Sequence, residues 1–162
     1  MLAYRWLWTC AAVIFLADQL SKHWITARLT LGSYGSRGIA VIPGFFNLVH
    51  VGNTGAAWSM FTGRSTLLAL LAVGTLVAIY FGRSHLGLRQ IVPQFCFGLL
   101  CGGTVGNLID RVAHGHVTDF LDFHFGDYIF PTFNIADSAI CIGVFGYILW
   151  SLRQPPMAAS DQ

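Results

Sequence analysis

IVPQFCFGLLCGGTVGNLIDR, residues 91–111, is the stretch on which the reading of this chain turns. From Ile91 to Ile109 it carries no charge, and a bilayer core is crossed by about 20 mainly apolar residues in helix. Gly102 and Gly106 form a G-x-x-x-G pair, which lets another helix approach closely. Gly103, Asn107, Asp110 and Arg111 fall near one face of the same helix. Helix packing accounts for the glycines. It does not account for an amide followed by an ion pair at the membrane edge.

Outward from this span, three further stretches have the length and composition to cross a bilayer: residues 4–24, 65–82 and 135–152. The whole chain agrees, with 55% hydrophobic and 10% charged residues, against about 25% charged in a typical soluble domain. Trp6 and Trp24 are spaced by about 27 Å of helix, so each suits one interface. Asp18 and Lys22 interrupt the first span where a signal-cleavage site would stand, and no small-x-small site follows, so it reads as a retained helix. The expected fold is therefore an α-helical membrane protein of four transmembrane helices. Residues 30–62, Gly-rich and with β-type runs at Ile39 to Ile42 and Asn47 to Val51, read as a small extramembrane sheet between helices 1 and 2. Residues 1–153 form one domain, and 154–162 a flexible C-terminal tail. The short loop holding Arg83 and Arg89 is the densest basic element, which puts both termini in the cytoplasm.

Charge narrows the function. A net charge of +2 with nine scattered Lys/Arg gives no nucleic-acid surface. Cys10, Cys96, Cys101 and Cys141 all sit in apolar runs without metal-ligand spacing. All seven acids are Asp, and five lie between Asp110 and Asp137. With four spans, Asp18, Lys22, Asn107, Asp110, Asp119, Asn134 and Asp137 all converge on one membrane face. Ionisable residues in spans are costly and face a bundle interior or a cavity. Asp18 and Lys22, four apart, are either a structural pair or part of a site.

Asp119 lies in a connecting segment, Val117-Thr118-Asp119-Phe120, flanked by hydrophobic residues. In Phe133-Asn134-Ile135-Ala136-Asp137, Asn134 is placed to cap the fourth helix with Asp137 in its first turn, where the helix dipole alone favours an acid. Two carboxylates that share one proton can hydrolyse a peptide bond: one draws a proton from water while the other polarises the carbonyl. The helix N-terminus beside Asp137 favours its charged form, making Asp137 the base and Asp119 the acid, though protons of a coupled pair belong to both. Three alternatives stand beside this one. His114, His116 and His124 with Asp119 offer a zinc or iron site, on nonspecific spacing and without H-E-x-x-H. A proton-coupled transporter would carry acids at several depths, whereas here they gather at one edge. A noncatalytic scaffold leaves the settings of Asp119 and Asp137 unexplained.

Five blocks in this order, Asp18-Gln19-Leu20-Ser21-Lys22, Asn53-Thr54-Gly55-Ala56-Ala57-Trp58, Gly102 through Arg111, Val117-Thr118-Asp119-Phe120 and Phe133-Asn134-Ile135-Ala136-Asp137, resemble the lipoprotein signal peptidases, or signal peptidase II. The likeness spans nearly the whole chain; Trp58 stands where the family commonly has Phe. It implies a monomeric aspartyl endopeptidase of the bacterial inner membrane, its active site facing the periplasm. Its substrates would be diacylglyceryl-modified prolipoproteins, cleaved before the lipidated cysteine, and it would work among membrane lipid. The resemblance further implies no metal or other cofactor, an extramembrane β-cradle, and inhibition by globomycin-type cyclic peptides. By motif position Asp119 and Asp137 match the catalytic pair, and Asp18, Lys22, Asn53, Gly55, Asn107, Asp110, Arg111, Asn134 and Ala136 match positions that support the site or contact substrate.

Overall fold

The computed structural model describes residues 2–56, 58 and 60–154; Ala57 of the second block, and 155–162 of the expected tail, lie outside them. Four long helices are present: α1 (Arg5–Arg28), α2 (Ser65–Gly82), α3 (Ile91–His114) and α4 (Ile135–Leu152). Three of them, α2, α3 and α4, are long and apolar enough to cross a membrane. α1 has the length but falls short in hydropathy, because Asp18, Gln19, Lys22 and His23 crowd its second half. The expectation of four apolar spans is thus met by four helices, one of them too polar to qualify by composition.

α3 is the central helix, packed against α1 on one side and α4 on the other, with α2 touching it less. Small residues make this possible. A side chain at Gly102 would meet the Ala11 carbonyl of α1 at 2.6 Å, and one at Gly103 would run into the Ala136 carbonyl of α4. At the end remote from the acids, Leu7, Leu88 and Phe97 form a buried cluster with Ile79 and Tyr147 against it. α2 buries none of its residues, and Leu70, Leu71, Val77 and Phe81 are exposed. So large an apolar surface is untenable in water and suits lipid.

The sheet departs from expectation in its make-up. β1 (Ile39–Ile42) and β2 (Phe46–Asn53) come from the α1–α2 segment, as the sequence indicated, but β3 (Val117–Phe125) and β4 (Tyr128–Ile129) come from the α3–α4 segment. The four strands form one antiparallel sheet in the order β1-β2-β3-β4. Asp119 therefore stands on a central strand paired with Val51, not in an irregular connector. α3 stops at Gly115, whose left-handed backbone (φ 75°) closes the helix by donating to the Arg111 carbonyl and turns the chain into β3. The helix boundaries also run past the expected spans, α1 to Arg28 and α3 to His114, so both helices rise beyond the apolar zone to meet the sheet.

Candidate active site

α4 opens with a reciprocal cap. The Asn134 side chain accepts from the Asp137 N–H at 2.9 Å, and the Asp137 carboxylate accepts from the Asn134 N–H at 3.2 Å. The same Asn134 side chain donates through Nδ2 to Asp119 Oδ1 at 2.7 Å. One fully buried asparagine thus touches both aspartates. The other oxygen of each is also met by an amide: Asn53 Nδ2 donates to Asp119 Oδ2 at 2.9 Å, and Asn107 Nδ2 to Asp137 Oδ1 at 2.7 Å. Asp119 and Asp137 line one cleft of about 940 Å³, together with Asn53, Trp58, Arg111 and Phe130. Burial, and next the charge of Asp137, push the Asp119 carboxyl up to about 7; the bonds from Asn53 and Asn134 act in the opposite direction.

Beneath this pair lies a buried ionic network. Lys22 Nζ reaches Asp18 Oδ2 at 2.8 Å, Asp110 Oδ2 at 2.9 Å and Asn107 Oδ1 at 2.9 Å, which uses all three ammonium donors. Its partner Asn107 has its Nδ2 free for Asp137, so the lysine fixes which way that amide faces. Asp18 Oδ1 accepts the Ala136 N–H at 3.0 Å, tying α1 to the first turn of α4. Asp110 Oδ2 accepts the Thr118 N–H at 3.0 Å, anchoring β3 one residue before Asp119. Removing two or more charges from water is costly unless each is paired and hydrogen-bonded, and here each is.

Arg111 does not pair with Asp110, whose carboxylate is taken by Lys22 and Thr118. Its guanidinium instead donates to the Gly55 carbonyl at 3.0 Å and the Asn107 carbonyl at 3.3 Å. Asn53 Oδ1 accepts the Gly55 N–H at 2.8 Å, so the loop after β2 is held from both sides. A side chain at Gly55 would meet the Met60 carbonyl at 2.6 Å, which explains the glycine. The two aspartates and the nine residues matched to their support are thus drawn into a single constellation. Gln19, which the sequence alone does not mark, joins the same network: its amide bridges Asp18, Asp110 and the Gly106 carbonyl. The histidines do not converge: His124 bonds Asp122 at 2.7 Å, while the rings of His114 and His116 lie 6.1 Å apart.

The sequence profile of the Signal peptidase (SPase) II family matches residues 10–153. The lipoprotein signal peptidase of Nostoc sp. (strain PCC 7120) is 39% identical over 94% of this chain and 92% of its own. That of Shewanella loihica is 43% identical over 86% of this chain and 81% of its own. Among solved structures, a bacterial membrane enzyme determined by the in meso method at 2.3 Å resolution superposes with a TM-score of 0.82 at 32% identity, covering 95% of this chain and 92% of that one. A second, at 1.9 Å resolution, gives 0.78 at 33% identity. Agreement of this extent, in sequence and in fold, places the chain in the signal peptidase II family of membrane peptidases.

Proposed function

We propose that the chain is an aspartyl endopeptidase which removes signal peptides from diacylglyceryl-modified prolipoproteins, with Asp119 and Asp137 as its catalytic pair. The observation that carries this reading is the Asn134 side chain bonded to both aspartates at the wall of one cleft. Asp137 sits where the helix N-terminus favours negative charge, and is the base that draws a proton from water. Asp119, which holds its proton to about pH 7, donates toward the scissile carbonyl. Asn53, Asn107 and Asn134 orient the two carboxyls; Asp18, Lys22 and Asp110 hold those amides and the backbone beside them. Arg111 and Gly55 steady the loop over the cleft through the bond between the guanidinium and the Gly55 carbonyl.

A signal peptide is itself an apolar helix, and a lipidated cysteine keeps the scissile bond at headgroup depth, so the dyad belongs where helices meet sheet. α1 serves as the fourth span. Asp18 and Lys22 are buried toward α3 while Val13, Leu16 and Leu20 are exposed for lipid, so its polarity faces the bundle. In this reading residues 1–153 are one peptidase domain of the bacterial inner membrane, monomeric, with cytoplasmic termini. The cleft faces the periplasm, cleavage falls before the lipidated cysteine, and globomycin-type cyclic peptides compete for the cleft. A gel-shift assay on a diacylglyceryl prolipoprotein tests it. Cleavage by wild type is expected with or without chelator, and none by Asp119→Asn or Asp137→Asn; loss on chelation would favour a metal at the histidines instead.

A further inference from the structure

The cleft has a second polar wall that the proposed dyad leaves unused. In a regular strand, Asp119 and Asp122 would face opposite sides of the sheet; here both line the same cleft, followed by His124. The cause is a β-bulge. The N–H groups of Phe120 and Leu121 both donate to the Phe133 carbonyl, at 3.1 and 2.8 Å, so two residues of β3 oppose one of the segment entering α4. On its other edge the register with β2 shifts between Leu48 and Val51. The alternation is thereby reset, and Asp122 and His124 turn to the side of Asp119.

Asp122 is 3% exposed, and its Oδ2 accepts from His124 Nε2 at 2.7 Å and Asn47 Nδ2 at 3.3 Å. Tyr34, also at the cleft wall, has its hydroxyl pushed up by burial and then by the charges of Asp122 and Asp119, which sets it in the field of both. Among the described residues the cleft carries three carboxylates against one guanidinium, with His124 beside one of the acids. Its outer wall is therefore rich in acceptors. Asp122 lies three residues beyond Asp119 along β3, within reach of the first few residues of a chain that leaves the dyad along that strand. An apolar signal helix stays among the membrane helices, so the chain that passes over the sheet is the polar segment after the cysteine.

We propose that Asp122, held by His124 and Asn47, forms a subsite that selects donor-bearing or cationic side chains in the first residues following the lipidated cysteine and disfavours acidic ones. This rests on the proteolytic reading above. The test uses three diacylglyceryl peptides that differ only in the second and third residues after the cysteine, both Lys, both Ser or both Asp, cleaved in zwitterionic micelles. For wild type, kcat/KM should favour the Lys over the Asp peptide by about tenfold, as charge discrimination by a carboxylate in the cleft wall would give. Asp122→Asn should reduce that ratio to about twofold or less. His124→Phe, which bares the carboxylate, should increase it. A general loss of folding would lower all three rates without moving the ratio. A wild-type ratio within twofold, a ratio unchanged in Asp122→Asn, or one unchanged or lowered in His124→Phe would overturn the subsite. Cleavage of the Ser peptide, and its loss in Asp119→Asn, report separately on the proteolytic reading.

Discussion

Asp119 is 2% exposed, and this burial, with the charge of Asp137 second, holds its proton to about pH 7 rather than near 3.8, against the hydrogen bonds from Asn53 and Asn134. The sign follows from the shift. The folded state binds the proton more tightly than the unfolded chain, so this group's contribution to stability declines as pH rises from about 3.8 to about 7. As the proposed general acid it is competent below that value, so kcat/KM should fall as pH rises through about 7. In Asp137→Asn the neighbouring charge is gone while the burial remains. Carbon NMR of labelled aspartate should then show Asp119 titrating below its wild-type value but still above 3.8. An unchanged titration would mean that the two carboxyls do not sense each other. Both aspartates were legible in the sequence because a short acid in an oily context is expensive without a purpose. Gln19 was not, since a glutamine beside an ion pair carries no signature until its partners are brought to it.

At the level of elements, the start of α4 and the bulge of β3 together build the site. The cap was legible: Asn134 with an acid three residues on is a helix-start signal, and the structure adds that the capping side chain also reaches Asp119. Asn134→Ala should therefore cost about 1 kcal/mol of stability through the lost cap. It should also lower kcat by about 10²-fold or more as the aspartates lose their common anchor. Thermal melting in detergent and single-turnover cleavage read these two losses separately. A variant with the lower stability but wild-type turnover would confine Asn134 to a capping role. β3 was not legible as a strand. Its bulge breaks the period-two pattern at Phe120 and Leu121, so two apolar neighbours flank the break and the alternation that marks a strand is lost. The first two strands, which carry recognisable β-type runs, were found from sequence.

For the molecule as a whole, the buried network is what joins the layers. Lys22 of α1 binds Asp110 and Asn107 of α3, Asp18 beside it binds the first turn of α4, and Asp110 binds the start of β3. Lys22→Met should leave Asp18 and Asp110 buried without their cation, at a cost of about 3–5 kcal/mol, visible as a large drop in melting temperature in detergent. A small change would show that the network is not central to the assembly. The same network explains why α1 is poorer in hydropathy than its neighbours: its polar face is spent inside the bundle, and an average over the helix cannot separate that face from the lipid-facing one. Four helices and a sheet were legible from apolar length and β-type runs. The joining of two distant segments into one sheet was not, because pairing between β2 and β3 leaves no local trace.

The pairing of Asp119 with Asp137 is best tested by single-turnover cleavage of a lipidated prolipoprotein, comparing Asp119→Asn, Asp137→Asn and the double variant. If the two act as one unit, each single change should lower the rate by about 10³-fold or more and the double change should lower it little further. Either single variant within tenfold of wild type, or losses that multiply in the double variant, would contradict a shared catalytic pair.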